Sequence, residues 1–183
     1  MDCGVFEDGE GITKKEDSMS TRGAIAVITD AKKGNFKGVY HHWDSYPSGL
    51  GATLFHLRNG HFRKNTKAML KVLIKDHNAW STINEADFTK EPGYGNESAP
   101  QCYCHGQRSE KNKPVTQKSA SACGCEYVYG FDKGGDTMII LSSYRKDGGK
   151  MIGAFGCGDP KATWKPIAVV DLDGEEPDWK KIG

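Results

Sequence analysis

No stretch of this chain approaches the ~20 consecutive apolar residues that a bilayer-spanning helix requires, so no membrane association of that kind is expected. An excess of charge of one sign is also missing. The 25 Lys and Arg side chains are matched by 24 Asp and Glu, so no global field draws the chain to nucleic acid or anionic lipid, and only a local patch would do so. The first twenty residues are acidic and Gly-rich and lack a basic segment leading into an apolar one, unlike a secretory signal. A reducing cytoplasm is then the expected compartment, where paired cysteines bind metal more often than they form disulfides. Three further absences narrow the field. The glycine turn at Ser48–Gly51 lacks the Gly-Lys-Ser/Thr ending of a phosphate-binding loop. The acidic run Asp171–Glu176 lacks EF-hand spacing. No internal repeat is present.

What is abundant is glycine, at 23 residues, which implies many tight turns and short strands. The length of 183 residues suits one domain with a real core. Residues 1–20 read as a flexible lead-in and 21–183 as a single α+β domain. β-rich segments fall at 24–29, 36–43, 126–131, 137–144, 151–155 and 165–171. Two amphipathic helices are expected, one from Ser48 to Asn59-Gly60 with Leu50, Leu54 and Leu57 inward, the other over 65–76 with Met69, Val72 and Leu73 inward. The expected architecture is an antiparallel sheet of five or six strands with two helices on one face. Residues 77–122 are polar and show no sustained period. A loop that long needs a local tie.

The cysteines offer that tie. Cys102-Tyr-Cys104-His105 and Cys123-Gly-Cys125 contain four of the six cysteines in two Cys-X-Cys pairs. Cys102, Cys104, Cys123 and Cys125 can complete a tetrahedral zinc site, and His105 is a fifth candidate that can replace one of them. Four sulfurs leave no open position, which predicts a structural ion stapling an insertion at about 96–125. Disulfides and simple packing are the alternatives. Cys3 and Cys157 are read as unpaired.

The second unusual segment is Tyr40-His41-His42-Trp43-Asp44-Ser45-Tyr46-Pro47-Ser48-Gly49-Leu50-Gly51. It resembles a Tyr-X-His-Trp-Asp-X-Tyr-Pro-X-X-Leu-Gly stretch of uncharacterised proteins in bacteria and their phages. That resemblance implies a unit, with an accessory role in a phage as one setting, and brings no established activity. From the residues alone, Ser48 is placed as the helix N-cap, with free amides at Ser48, Gly49 and Gly51 facing an anion. Tyr46 and Arg58 would assist. His42 and Asp44, two apart, are the candidate general acid–base pair. The bland alternative makes Asp44 a turn cap and His41, Trp43 and Tyr46 an aromatic lid.

Two functions follow. One is a protein that binds a small anionic, nucleotide-like or phosphorylated molecule at this turn. The other is a zinc-stabilised module that presents Tyr103, Arg108 and the Lys-rich 111–118 segment to a protein or nucleic acid.

Overall fold

The structure, a computed structural model, describes residues 21–144 and 163–182. Its centre is the hairpin of β1 (Gly23–Asp30) and β2 (Asn35–His41), closed by a turn with Gly34 at φ 64°. Both strands are rich in β-branched and aromatic residues, which suit a pleated surface buried on both sides. After β2 the chain leaves the sheet. Pro47–Gly51 makes a wide π-type turn that runs straight into α1 (Ala52–Asn59), and α2 (Thr66–Leu70) continues as a second wide turn over Lys71–Asp76. Asn65 starts α2 by accepting a hydrogen bond from the Ala68 amide at 2.9 Å.

The chain then returns as β3 (Ala79–Thr82), β4 (Gln101–Cys102) and β5 (Val115–Thr116), and later as β6 (Tyr127–Phe131), β7 (Thr137–Tyr144) and β8 (Thr163–Asp171). These eight strands form one sheet in the order β4-β3-β2-β1-β6-β7-β8, with β5 also paired to β2. The sheet is mixed, which corrects the expected antiparallel sheet of five or six strands. β6 runs parallel to β1, and β3 runs parallel to β2. The excursion through the helices returns the chain toward the end where β2 begins, so that β3 can run parallel to it. β6 begins at the opposite end, beside the start of β1. Parallel pairing needs such crossovers. The segments 1–20 and 151–155 lie outside the described residues.

Alternation splits the core into two layers. Ile25, Val39, Tyr129, Phe131, Met138 and Ile140 face Leu50, Leu54, Met69 and Leu73 of the helices. Ala24, Ala26, Phe36, Val128 and Leu141 face the opposite way, under Val115, Ala120 and Cys125. Helices therefore cover one face, and the 115–125 segment covers the other.

Candidate metal centre

Strand β4 determines the site. Cys102 pairs with Trp80 across the β3–β4 ladder, and the Tyr103 amide donates to the Ala79 carbonyl at 3.0 Å. The Cys102–His105 turn is thereby laid alongside the end of the second helix, where the His77 ring lies against the Trp80 ring at a tilt of 41° with centroids 4.5 Å apart. A β-bridge between Tyr94 and Gly106, the latter at φ 72°, closes the turn from outside.

His77, Cys102, Cys104 and His105 consequently converge, with all four ligand atoms within 4.8 Å of one another. The His105 Nδ1 lies 3.2 Å from the His77 Nδ1, 3.3 Å from the Cys104 Sγ and 3.5 Å from the Cys102 Sγ. The Cys104 Sγ lies 3.5 Å from the His77 Nδ1. One nitrogen with three heavy-atom partners is a poor hydrogen-bond arrangement, because a single proton serves one of them. It is a good metal arrangement. Bonds of 2.0–2.3 Å in a tetrahedron separate neighbouring ligands by roughly 3.3–3.8 Å. The four side chains are close enough to hold a metal ion, and the donor set of two sulfurs and two nitrogens fits zinc.

Burial prepares these groups differently. It is the main cause that lowers His77 to about 4, assisted by His105, so its imidazole is neutral at physiological pH and its lone pair is free for an ion. Burial, then the neighbouring Cys104, pushes the Cys102 thiol up to about 11. An ion supplies the positive charge that deprotonates such a thiol. His77, Cys104 and His105 also form part of the wall of a cavity of about 650 Å³, floored by Val27 and Val39 and flanked by Ile74.

The other cysteine pair is not gathered here, which corrects the four-cysteine site. Cys125 is buried in the opposite core layer, its Sγ donating to the Gly23 carbonyl at 3.4 Å, and Cys123 is exposed. Burial raises both thiols. His105, weighed from the sequence as a substitute ligand, is in the cluster. His77 was missed. Its only signal is its position just before the short apolar run Ala79-Trp80, inside what reads as loop.

The histidine-rich turn is scaffold in several places. Tyr46, rather than Ser48, occupies the N-cap position, and no side chain caps this helix, because Pro47 opens it with its preset φ. Ser48 is exposed one residue further in. A Cβ on Gly49 would overlap the Asp44 carbonyl oxygen, and one on Gly51 would press on Trp179 and Tyr129 at 3.1 Å. These glycines serve chain packing. Arg58 is 2% exposed and donates to Thr66 Oγ1, the Leu172 carbonyl and Asp173 Oδ1 at 3.1, 3.0 and 2.7 Å, so it is committed to the fold.

His42 meets the Tyr40 hydroxyl at 2.7 Å through Nδ1. Asp44, at φ 52°, leaves the strand alternation that would set it beside His42. Asp44, Tyr46, Ser48 and Gly49 border a cleft of about 440 Å³ that His42, Gly51 and Arg58 do not line. The adjacent His41 is fully buried, with Nδ1 2.8 Å from Ser45 Oγ and Nε2 accepting from the Ile83 amide at 3.2 Å.

Among the described residues no helix is long and apolar enough to cross a membrane. No family model, curated protein or solved structure matches the chain.

Proposed function

We propose that this protein is a zinc-stabilised interaction module, with His77, Cys102, Cys104 and His105 as the four ligands of one structural ion. The observation that carries this reading is the convergence of the four donor atoms within 4.8 Å. Four protein ligands leave no open coordination position, so the ion holds shape and does no chemistry. It ties β4 and the Cys102–His105 turn that follows it to His77 at the end of the second helix, beside the Tyr103–Ala79 hydrogen bond and the Tyr94–Gly106 bridge. A reducing cytoplasm suits thiolates that must stay available to the ion.

Elemental analysis of the purified protein should give about one zinc per chain. Cys102→Ser and His77→Ala should lower that content and open residues 83–112 to protease. Cys123→Ser should leave both unchanged. A folded, metal-free protein with reduced cysteines would overturn the proposal.

A second reading keeps a small-molecule ligand, because the cleft bordered by Asp44, Tyr46, Ser48 and Gly49 is large enough for a small metabolite. Its carboxylates, Asp44 and Glu85, count against an anion, and His56 and the lining hydroxyls are what could hold one. Thermal-shift measurements against nucleotides and phosphorylated metabolites test it, since a ligand at 100 times its dissociation constant adds roughly 2.7 kcal/mol.

A further inference from the structure

A row of aromatic rings crosses from the end of β2 onto the outer side of the metal-bearing loop. Trp43, 46% exposed, stands edge-on to His42 with centroids 4.7 Å apart. His42 in turn meets Tyr103 at 6.3 Å, and Tyr103 stacks on Tyr94 at 5.8 Å with an interplanar angle of 22°. The Arg108 guanidinium lies over both tyrosines, 4.1 Å from the Tyr94 centroid and 5.1 Å from that of Tyr103. The Arg108 side chain remains 42% exposed and meets the Glu110 carboxylate at 3.6 Å. Lys111 and Lys113 follow on the same loop, both exposed.

A second arginine closes the other flank. β1 and β2 pair antiparallel with Gly23 opposite His41, and Arg22 precedes this pair on one strand as His42 follows it on the other. Among the described residues no carboxylate pairs with Arg22, and its Nε is buried without a hydrogen-bond partner. The His42 imidazole is held below its usual range by burial and then by Arg22 and Arg108, which places both cations in its neighbourhood.

This combination has a chemical meaning. The exposed Trp43 ring offers a π-face that any base can stack on, and the guanidinium groups of Arg22 and Arg108, beside the half-buried His42, Tyr103 and Tyr94, offer forked donors to phosphate. A single indole standing on the surface can stack on an unpaired base and cannot reach bases already stacked inside a duplex. We infer that this row is a binding face for single-stranded nucleic acid, with Trp43 stacking on a base and Arg22 and Arg108 holding phosphates. The inference rests on the interaction-module reading, because the ion positions the loop that carries Tyr94, Tyr103 and Arg108.

The test is fluorescence anisotropy with a labelled oligothymidylate, using protein whose zinc content is measured on the same preparation. Two phosphates neutralised on a single strand give a slope of log affinity against log salt of about −1.4, a loss of roughly sevenfold between about 50 and 200 mM salt. Trp43→Ala should weaken binding by roughly 5- to 150-fold, the range for losing one stacked base, and Trp43→Phe should recover part of it. Arg22→Gln and Arg108→Gln should each flatten the salt slope by about 0.7. Lys67→Ala on α2 should do nothing.

Zinc-loaded protein that ignores the strand overturns the inference and leaves the metal reading standing. So does binding that Trp43→Ala does not weaken, or a duplex bound as tightly as the strand. Protein that binds the strand but retains no zinc overturns the metal reading alone.

Discussion

Protonation of His41 should control how this fold responds to acid. The side chain is fully buried, and the Ile83 amide donates to Nε2. That assigns the neutral tautomer with the proton on Nδ1, which donates to Ser45 Oγ, while Ser45 donates onward to the His41 carbonyl. A second proton on Nε2 would face the Ile83 N–H in a fully buried position with no acceptor. Burial first, then the neighbouring His42, lowers the His41 pKa from 6.5 to about 3.

The folded pKa is depressed for a base, so between about pH 3 and 6.5 the unfolded chain binds the proton that the folded chain refuses. Stability therefore rises with pH across that window, is complete above 6.5 and is lost as pH falls. The slope is about 1.4 kcal/mol per pH unit, so stability drops by about 2 kcal/mol from pH 7 to pH 5 through this residue alone.

Urea denaturation of the wild type and His41→Gln at pH 7, 6 and 5 isolates it. His42 and His77 also have lowered pKa values and steepen both curves, but they are common to both proteins and cancel in the difference. The variant should be the less stable at pH 7, and the gap should shrink by about 2 kcal/mol at pH 5. Equal losses of stability in the two proteins would refute the buried neutral assignment.

The glycine turn and the buried arginine give two further expectations. Gly49→Val should lower stability by roughly 1–3 kcal/mol, because the new Cβ overlaps the Asp44 carbonyl that accepts from Leu50; an unchanged melting temperature would refute this. Arg58→Ala should cost roughly 2–4 kcal/mol by urea midpoint, mainly by orphaning the buried Leu172 carbonyl, since the Thr66 hydroxyl loses one bond but keeps its donation to the Gly135 carbonyl. Asp173 is half exposed and can return to water, so a larger loss would need another cause.

The long elements were legible from the residues. The expected helix over 65–76 is present as Thr66–Asp76, and the expected strand at 126–131 as Tyr127–Phe131, because each carries several residues in one period. Strands β4 and β5 are two residues each and have no period to read. The parallel pairing of β1 with β6 is equally silent, since Ala24–Thr29 is apolar on both faces whichever neighbour it takes. The Ser48 cap failed for a local reason, as proline at the first helical position removed the need for a side-chain acceptor there.

The candidate metal site was half legible, and strand pairing explains which half. Cys102–Cys104 and Cys123–Cys125 look alike locally, since in extended chain residues two apart share a face. Their faces differ. Cys102 and Cys104 pack with the helix-side layer, where His77 also ends, whereas Cys125 belongs to the layer under Val115. Only the pairing of β4 with β3 distinguishes them, and that pairing is non-local. Electrostatics favours the mixed set as well. Four thiolates around a divalent ion leave a net charge of −2. Two thiolates with two neutral imidazoles leave none. Cys102 is fully buried, so a net charge placed on its side of the cluster would carry a desolvation cost that the more exposed Cys104 and His105 do not share. A neutral His77, held at about 4 mainly by its own burial, is the ligand that this position can accommodate.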